Sequence, residues 1–294
     1  MDTQKLNALL RSIELGSFSA AAEELGFTPS GISHMAAAVE DELGYPLLLR
    51  GRSGVTLTKD GKEILPALLA LANAEKNVEQ QASRVRGLVS GRLNIGTYSS
   101  FSFQCLPKIL KEFHEKYPAI EIQLMEGVHA ELDDWMRSTN MDFCIYSEGK
   151  NSSLEWYPLL DDPMYAVVPL NHPLAKRDKI APKELESETF IMPGRYNDID
   201  VVNVLKKFDV HPNIRYMTIE NFSAIAMIEQ GMGVSIMNQM ITAYQKGQVA
   251  MIPLDPPQKI TLGIAIPSLK HASPAAKQMI AFLRKAYPYP KENS

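Results

Sequence analysis

The stretch from Ser17 to Arg50, SFSAAAEELGFTPSGISHMAAAVEDELGYPLLLR, admits few folds. Residues 20–25 (AAAEEL) are good helix formers, and Gly26 follows where a helix ends in the left-handed conformation that glycine adopts cheaply. Thr28 then stands as an N-cap, with Pro29 at the first helical position, where proline's missing N–H costs least. A second helix is therefore predicted from about Pro29 to Leu43, ended by Gly44. Ile32, Ala36, Val39 and Leu43 make its buried stripe, while Ser30, Ser33, His34 and Ala37 fall on the other side. Ala22, Gly26 and Ile32 keep the spacing that lets two short helices meet at a tight turn, so the segment reads as a helix-turn-helix. Thr28, Pro29, Ser30, Ser33 and His34 give the second helix a polar start with the size to enter a DNA major groove.

The flanks extend this unit. Leu6, Leu9, Leu10 and Ile13 share a helical face in residues 3–15, and GRSGVTLT (51–58) reads as a two-stranded wing with Gly51 and Gly54 at its turn. The N-terminal 58 residues hold Lys5, Arg11, Arg50 and Arg52 against seven acidic residues, a weak basic footprint for a DNA binder. Its distribution partly compensates, because Arg50, Arg52, Lys59 and Lys62 cluster where a wing and the next helix meet the backbone. Beyond Thr58, Ile64, Leu65, Leu68, Leu69, Leu71, Ala72, Val78, Ala82, Val85 and Leu88 give one long helical seam up to residue 90. A helix of that length needs a partner, and the same helix of a second copy is the economical one.

After Gly91 strands and helices alternate. Residues 93–96, 120–125 and 143–146 are predicted strands, with helices over 106–117 and 131–138, a βαβαβ order that implies parallel pairing. A second set follows Asp161-Asp162-Pro163: strands at 165–168, 190–192, 214–219 and 234–237, helices at 201–208 and 224–230. A strand at 261–266 and a helix at 275–286 close the chain.

These features resemble the LysR-type transcriptional regulators. The matching residues are Leu9, Ile13, Gly16-Ser17-Phe18-Ser19, Ala21-Ala22, Leu25, Ser33, Glu40, Leu43-Gly44, Leu47, Arg50, Leu57-Thr58 and Gly61. Further on, LNIGTY, Tyr117-Pro118, Glu126-Gly127, DFCIY, NHPLA and EQGMGVSIMN match as well, so the likeness covers the whole chain. The sequence departs from the usual family residues at Pro29, His34-Met35 and Leu48. The resemblance implies an α+β multidomain protein: a winged helix-turn-helix (1–58), a linker helix that dimerises (59–90), and a bilobed α/β effector domain (91–294) similar to periplasmic solute-binding proteins. Lobe I would take 91–161 and 267–294, and lobe II 162–266. A homodimer or tetramer reading a partly palindromic promoter site is the implied assembly.

In such a domain a ligand lies beyond the carboxyl ends of the strands, in the cleft. Ser99, Ser100, Ser102 and Phe103 follow the first strand there, Val128 and Tyr146 stand at the other strand ends of lobe I, and Arg195 follows a strand of lobe II. Arg195 and the serine-rich helix start favour an organic anion, whereas Tyr98, Phe101 and Phe103 suit an aromatic effector. His129 is more often a loop histidine than a ligand, and Asn221 reads as a helix cap.

No GxSxG, P-loop or HExxH motif occurs, and the six histidines (34, 114, 129, 172, 211, 271) lack metal-ligand spacing, so no catalytic residue, metal or cofactor is expected. The two cysteines, Cys105 and Cys144, are too few and too distant for a disulfide framework, and Cys144 lies in an apolar run that suggests a buried thiol. With no charged-then-apolar leader and no apolar run near 18 residues, the chain is expected in the cytoplasm. The expected function is a DNA-binding transcription regulator whose cleft takes a small-molecule effector. The alternative is a small-molecule binding protein whose helix-turn-helix serves protein interaction.

Overall fold

The computed structural model describes residues 2–51, 54–85, 90–138, 141–149, 153–194, 198–243, 247 and 249–290. Three helices open the chain, α1 (Thr3–Leu15), α2 (Phe18–Leu25) and α3 (Pro29–Leu43), followed by an antiparallel wing, β1 (Leu48–Gly51) and β2 (Gly54–Leu57), and a long helix α4 (Lys59–Val85). Thr28, Gly26 and Gly44 cap where the sequence places them, and Ser17 adds a cap to α2. Ser17 Oγ accepts from Ala20 N at 3.3 Å and Thr28 Oγ1 from Gly31 N at 3.1 Å, while Gly26 and Gly44 close α2 and α3 at φ 72° and 85°. Leu6, Leu9, Ala36, Val39 and Leu47 form the core, and Leu68 and Ala72 bring α4 onto it. Gly61 permits that approach, since a Cβ there would stand 2.3 Å from the Leu47 carbonyl oxygen.

The remainder is built on a six-stranded sheet. Its elements are β3 (Gly91–Thr97), α5 (Ser99–Gln104), α6 (Leu106–Lys116), β4 (Ile120–Glu126), α7 (His129–Ser138), β5 (Phe143–Ser147) and β6 (Glu155–Pro169). Then come β7 (Thr189–Met192), α8 (Ile199–Lys207), β8 (Asn213–Met217), α9 (Asn221–Glu229), β9 (Ser235–Asn238), α10 (Gln239–Thr242), β10 (Val249–Ile266) and α11 (Pro274–Ala286). The strand order is β4-β3-β5-β10-β6-β9, with β3 parallel to both β4 and β5 and a separate parallel pair β7-β8.

Two strands are far longer than expected. β6 and β10 pair antiparallel from Glu155–Ile266 to Pro169–Val249, so they join the two halves of the domain as one ribbon. The expected strands at 165–168 and 261–266 are only their ends. Prolines hid the rest: Pro158 and Pro163 in β6, and Pro253, Pro256 and Pro257 in β10, read as breaks. The fold takes them up at register shifts between Pro253 and Gln258 and between Leu262 and Gly263. The hydrophobic core likewise runs through both halves, from Ile95, Phe113 and Phe143 to Phe190 and Ile236. The final helix α11 returns to α6, where Phe282 meets Phe113 edge to face at 5.4 Å.

Helix α4 also touches this domain. Lys76 Nζ lies 2.8 Å from Asp142 Oδ2, and Asn77 Nδ2 donates to the His271 carbonyl at 2.7 Å. Among the described residues no helix is long and apolar enough to cross a membrane.

Candidate nucleic-acid interface and effector cleft

Helix α3 buries Ile32, Ala36 and Val39 against α1 and α2 and turns Thr28, Pro29, Ser30 and His34 to solvent. These four expected groove-reading residues thus form one exposed ridge at the capped start of the helix. Ser33 is half-buried at the edge of that ridge and accepts from Arg50 Nη1 at 3.3 Å. Arg50 is tied further: Nη2 stands 2.6 Å from Glu40 Oε2, and the guanidinium lies 5.4 Å from the centre of the Phe18 ring. Glu40 in turn takes the Leu47 and Leu48 N–H groups on Oε1 at 2.7 and 2.9 Å. These contacts fix the wing against α3. Arg52 lies outside the described residues; Lys59 and Lys62 are exposed in the first turn of α4.

The cleft lies beyond the carboxyl ends of β3, β4 and β9, where a parallel α/β sheet is expected to bind, and encloses about 450 Å³. Ser99, Ser100 and Val128 line it. Ser102, Phe103 and Tyr146 are not among its lining residues, for reasons of helix and strand geometry. In α5 the helical turn that presents Ser99 and Ser100 carries Ser102 inward, where it is buried, and leaves Phe103 exposed on a separate edge contact with Phe222 at 6.4 Å. The Tyr146 side chain is buried beside Leu132 and Met136 of α7, its hydroxyl donating to Asp133 Oδ1 at 3.3 Å. Arg195 falls outside the described residues.

Five of the lining residues that sequence reasoning passed over are acidic. Glu126 ends β4, Glu131 is in α7, Asp198 and Asp200 stand at the start of α8, and Glu220 precedes α9. Asp198 Oδ1 caps α8 by accepting from Asp200 N at 3.0 Å and Val201 N at 3.2 Å. Burial, and then the charge of Asp200, push its carboxyl up to about 6. Asp200 is raised as well, again by burial first, and its Oδ2 accepts from the Tyr98 hydroxyl at 3.2 Å across the cleft. His129 is lowered by burial and is therefore neutral near pH 7. The one signal for these acids was their position before predicted helices, which capping explains equally well.

Both cysteines are buried, and burial pushes the Cys144 thiol up to about 12. A thiol so held is protonated at neutral pH and carries no nucleophilic thiolate.

Two families match this architecture: the bacterial regulatory helix-turn-helix proteins of the lysR family over residues 3–62, and the LysR substrate binding domain over residues 86–288. The HTH-type transcriptional regulator YvbU of Bacillus subtilis is 31% identical over 292 residues, 98% of this chain and 99% of that one. A full-length OxyR variant of Pseudomonas aeruginosa superposes with a TM-score of 0.79 at 20% identity, covering 100% of this chain and 99% of the other. The CcmR regulatory domain of Synechocystis PCC6803, solved in complex with 2-PG, gives 0.63 at 25% identity over 67% of this chain and 98% of that domain. The chain belongs to the LysR family of transcriptional regulators, with a helix-turn-helix DNA-binding domain followed by an effector-binding domain.

Proposed function

We propose that this regulator reads DNA through Thr28, Pro29, Ser30, Ser33 and His34 of two subunits, and senses a small molecule in the cleft lined by Ser99, Ser100 and Val128. It acts by binding rather than catalysis, in the cytoplasm, with functional boundaries near residues 58 and 90. The observation that carries the reading is the exposed ridge at the start of α3, polar and capped, on a helix whose other face is buried. Pairing through α4 places two such ridges about a two-fold axis, which suits a partly palindromic site. The effector, once in the cleft, shifts an existing equilibrium between arrangements of the effector domains, and the shift is as large as its difference in affinity for them.

The test is fluorescence anisotropy of the purified protein on its own upstream intergenic DNA across a salt series. Expected are tight, salt-sensitive, sequence-selective binding and its loss in the double variant Ser33→Ala/His34→Ala. Equal affinity for unrelated DNA at every salt concentration would refute the reading.

A further inference from the structure

The cleft's chemistry narrows what can enter it, on the reading above that it is the effector site. Its described lining carries five carboxylates, Glu126, Glu131, Asp198, Asp200 and Glu220, and no lysine or arginine. Two of the helix starts around it, those of α7 and α8, are already taken by the protein's own carboxylates. Asp198 already occupies the first N–H groups of α8, and Glu131 Oε2 takes the Val128 N–H at the start of α7 at 3.1 Å. A ligand carboxylate or phosphate would have to displace the protein's own carboxylates from those positions and then sit among like charges.

Independent of that charge, two lining residues hold acceptors without donors. Asn221 Oδ1 and His129 Nε2 are both fully shielded from solvent and have no hydrogen-bond partner. Since His129 is neutral and its ring also bonds the Ser147 backbone, the nitrogen facing no partner is the lone-pair acceptor. Buried acceptors left unmatched are costly, so each marks a place where a donor is missing. The lining therefore offers carboxylates, an amide oxygen and an imidazole lone pair, with the indole of Trp135 as an aromatic wall. A volume of about 450 Å³ suits a compact metabolite.

We propose that the effector is an organic cation, an amine or guanidine rich in N–H donors, held by Asp198, Asp200 and Glu220 and completed by Asn221 and His129. Binding matches the two orphaned acceptors and brings lobe I residues (Tyr98, His129) and lobe II residues (Asp198, Asp200, Asn221) onto one ligand, which is the differential contact that closure needs. The cation also favours the ionised form of Asp198. The groups facing that carboxyl are Asp200 on its own helix, Tyr98 ahead of α5, and His129 opening α7. Affinity for a cation consequently rises as pH increases through about 6, and binding releases protons.

The probes are agmatine, glutarate and 1,5-pentanediol, a dication, a dianion and a neutral diol of similar length. Each is added at constant ionic strength to the full-length protein and followed by thermal unfolding and calorimetry. Agmatine is expected to raise Tm by a few degrees and the other two to leave it unchanged. Asp200→Asn should weaken agmatine about 10- to 100-fold, the loss of one charge-assisted bond. Asp198→Asn should do the same while keeping the α8 cap, which asparagine supplies equally well. Glu220→Gln guards against misfolding, because that carboxylate makes no capping bond.

Stabilisation by glutarate or pentanediol in preference to agmatine overturns the inference. So does an agmatine effect that survives all three substitutions, or no agmatine effect on protein that binds its DNA selectively. DNA anisotropy on the same preparation separates this failure from the other: absent selective DNA binding refutes the regulator reading, whatever the cleft does.

Discussion

Arg50 sits at the joint between wing and recognition helix, and its guanidinium is engaged on three sides, by Glu40, Ser33 and the Phe18 ring. The position of Arg50 in sequence suggested a phosphate contact, and the two roles separate by salt dependence. A residue that neutralises one phosphate contributes about 0.9 to the slope of log K against log salt, whereas one that holds the wing in place contributes to affinity at every salt alike. The internal contacts favour positioning. Arg50→Ala should therefore weaken binding to all sequences evenly, lower stability by about 1 kcal/mol, and leave the salt slope unchanged. A slope reduced by about one would return Arg50 to the phosphate backbone. The cleft shows the opposite limit of what single residues disclose. Ser99, Ser100 and Val128 were legible because a strand end and a helix start flank them, but the acids are spread from Glu126 to Glu220 and acquire common meaning only when four helix starts converge. Nothing local distinguishes an Asp that caps a helix from one that caps a helix and also faces a ligand.

At the scale of elements, helices were legible from their punctuation. Thr28 caps as expected, Ser17 and Thr58 cap as well, Thr58 Oγ1 accepting from Gly61 N at 2.9 Å, and Gly26 and Gly44 end their helices. The β6–β10 ribbon was not legible, since five interior prolines argue locally against strands, while pairing on either side of two register shifts sustains them. Helix α4 adds a detail its apolar pattern could not assign. Leu65, Leu68, Leu69 and Ala72 are buried within the subunit, whereas Ala67, Leu71, Ala74 and Val78 form an exposed line at spacings of four, three and four residues. That spacing is a coiled-coil seam, with Val78 70% and Leu71 40% exposed in the single chain. The double variant Leu71→Glu/Val78→Glu should leave subunit stability within about 0.5 kcal/mol, as surface changes do, yet shift the protein towards monomer in sedimentation velocity. Full retention of the oligomer would place the subunit contact elsewhere.

For the whole molecule, the question is how a ligand in the cleft reaches a helix that reads DNA. The path through the chain is short. Asp142, just before β5, accepts from Lys76 of α4, from the Asn94 backbone of β3 at 2.8 Å and from Ser273 at the start of α11 at 3.3 Å. Its side chain is 6% exposed, and that of Lys76 18%. Strand β3, whose far end borders the cleft, is thus clamped together with the start of β5 to the helix that carries the DNA-binding domain. A cavity of about 490 Å³ lies beside this contact, between α1, α4 and β3. A contact that ties an element of each domain to the other is where a coupling between the two sites would have to pass. Lys76→Met removes the cation but leaves Asp142 its two other donors, so the cost should be about 1–3 kcal/mol, confined to the joint. Hydrogen exchange reads this directly: amides of α4 near residue 76 and of the segment at 142–144 should lose about 10- to 100-fold protection, while α3 and the β6–β10 ribbon keep theirs. Effector binding should persist and its effect on DNA affinity should shrink. Unchanged protection at both ends of the pair would mean that the domains are held by other contacts and that the signal takes another route.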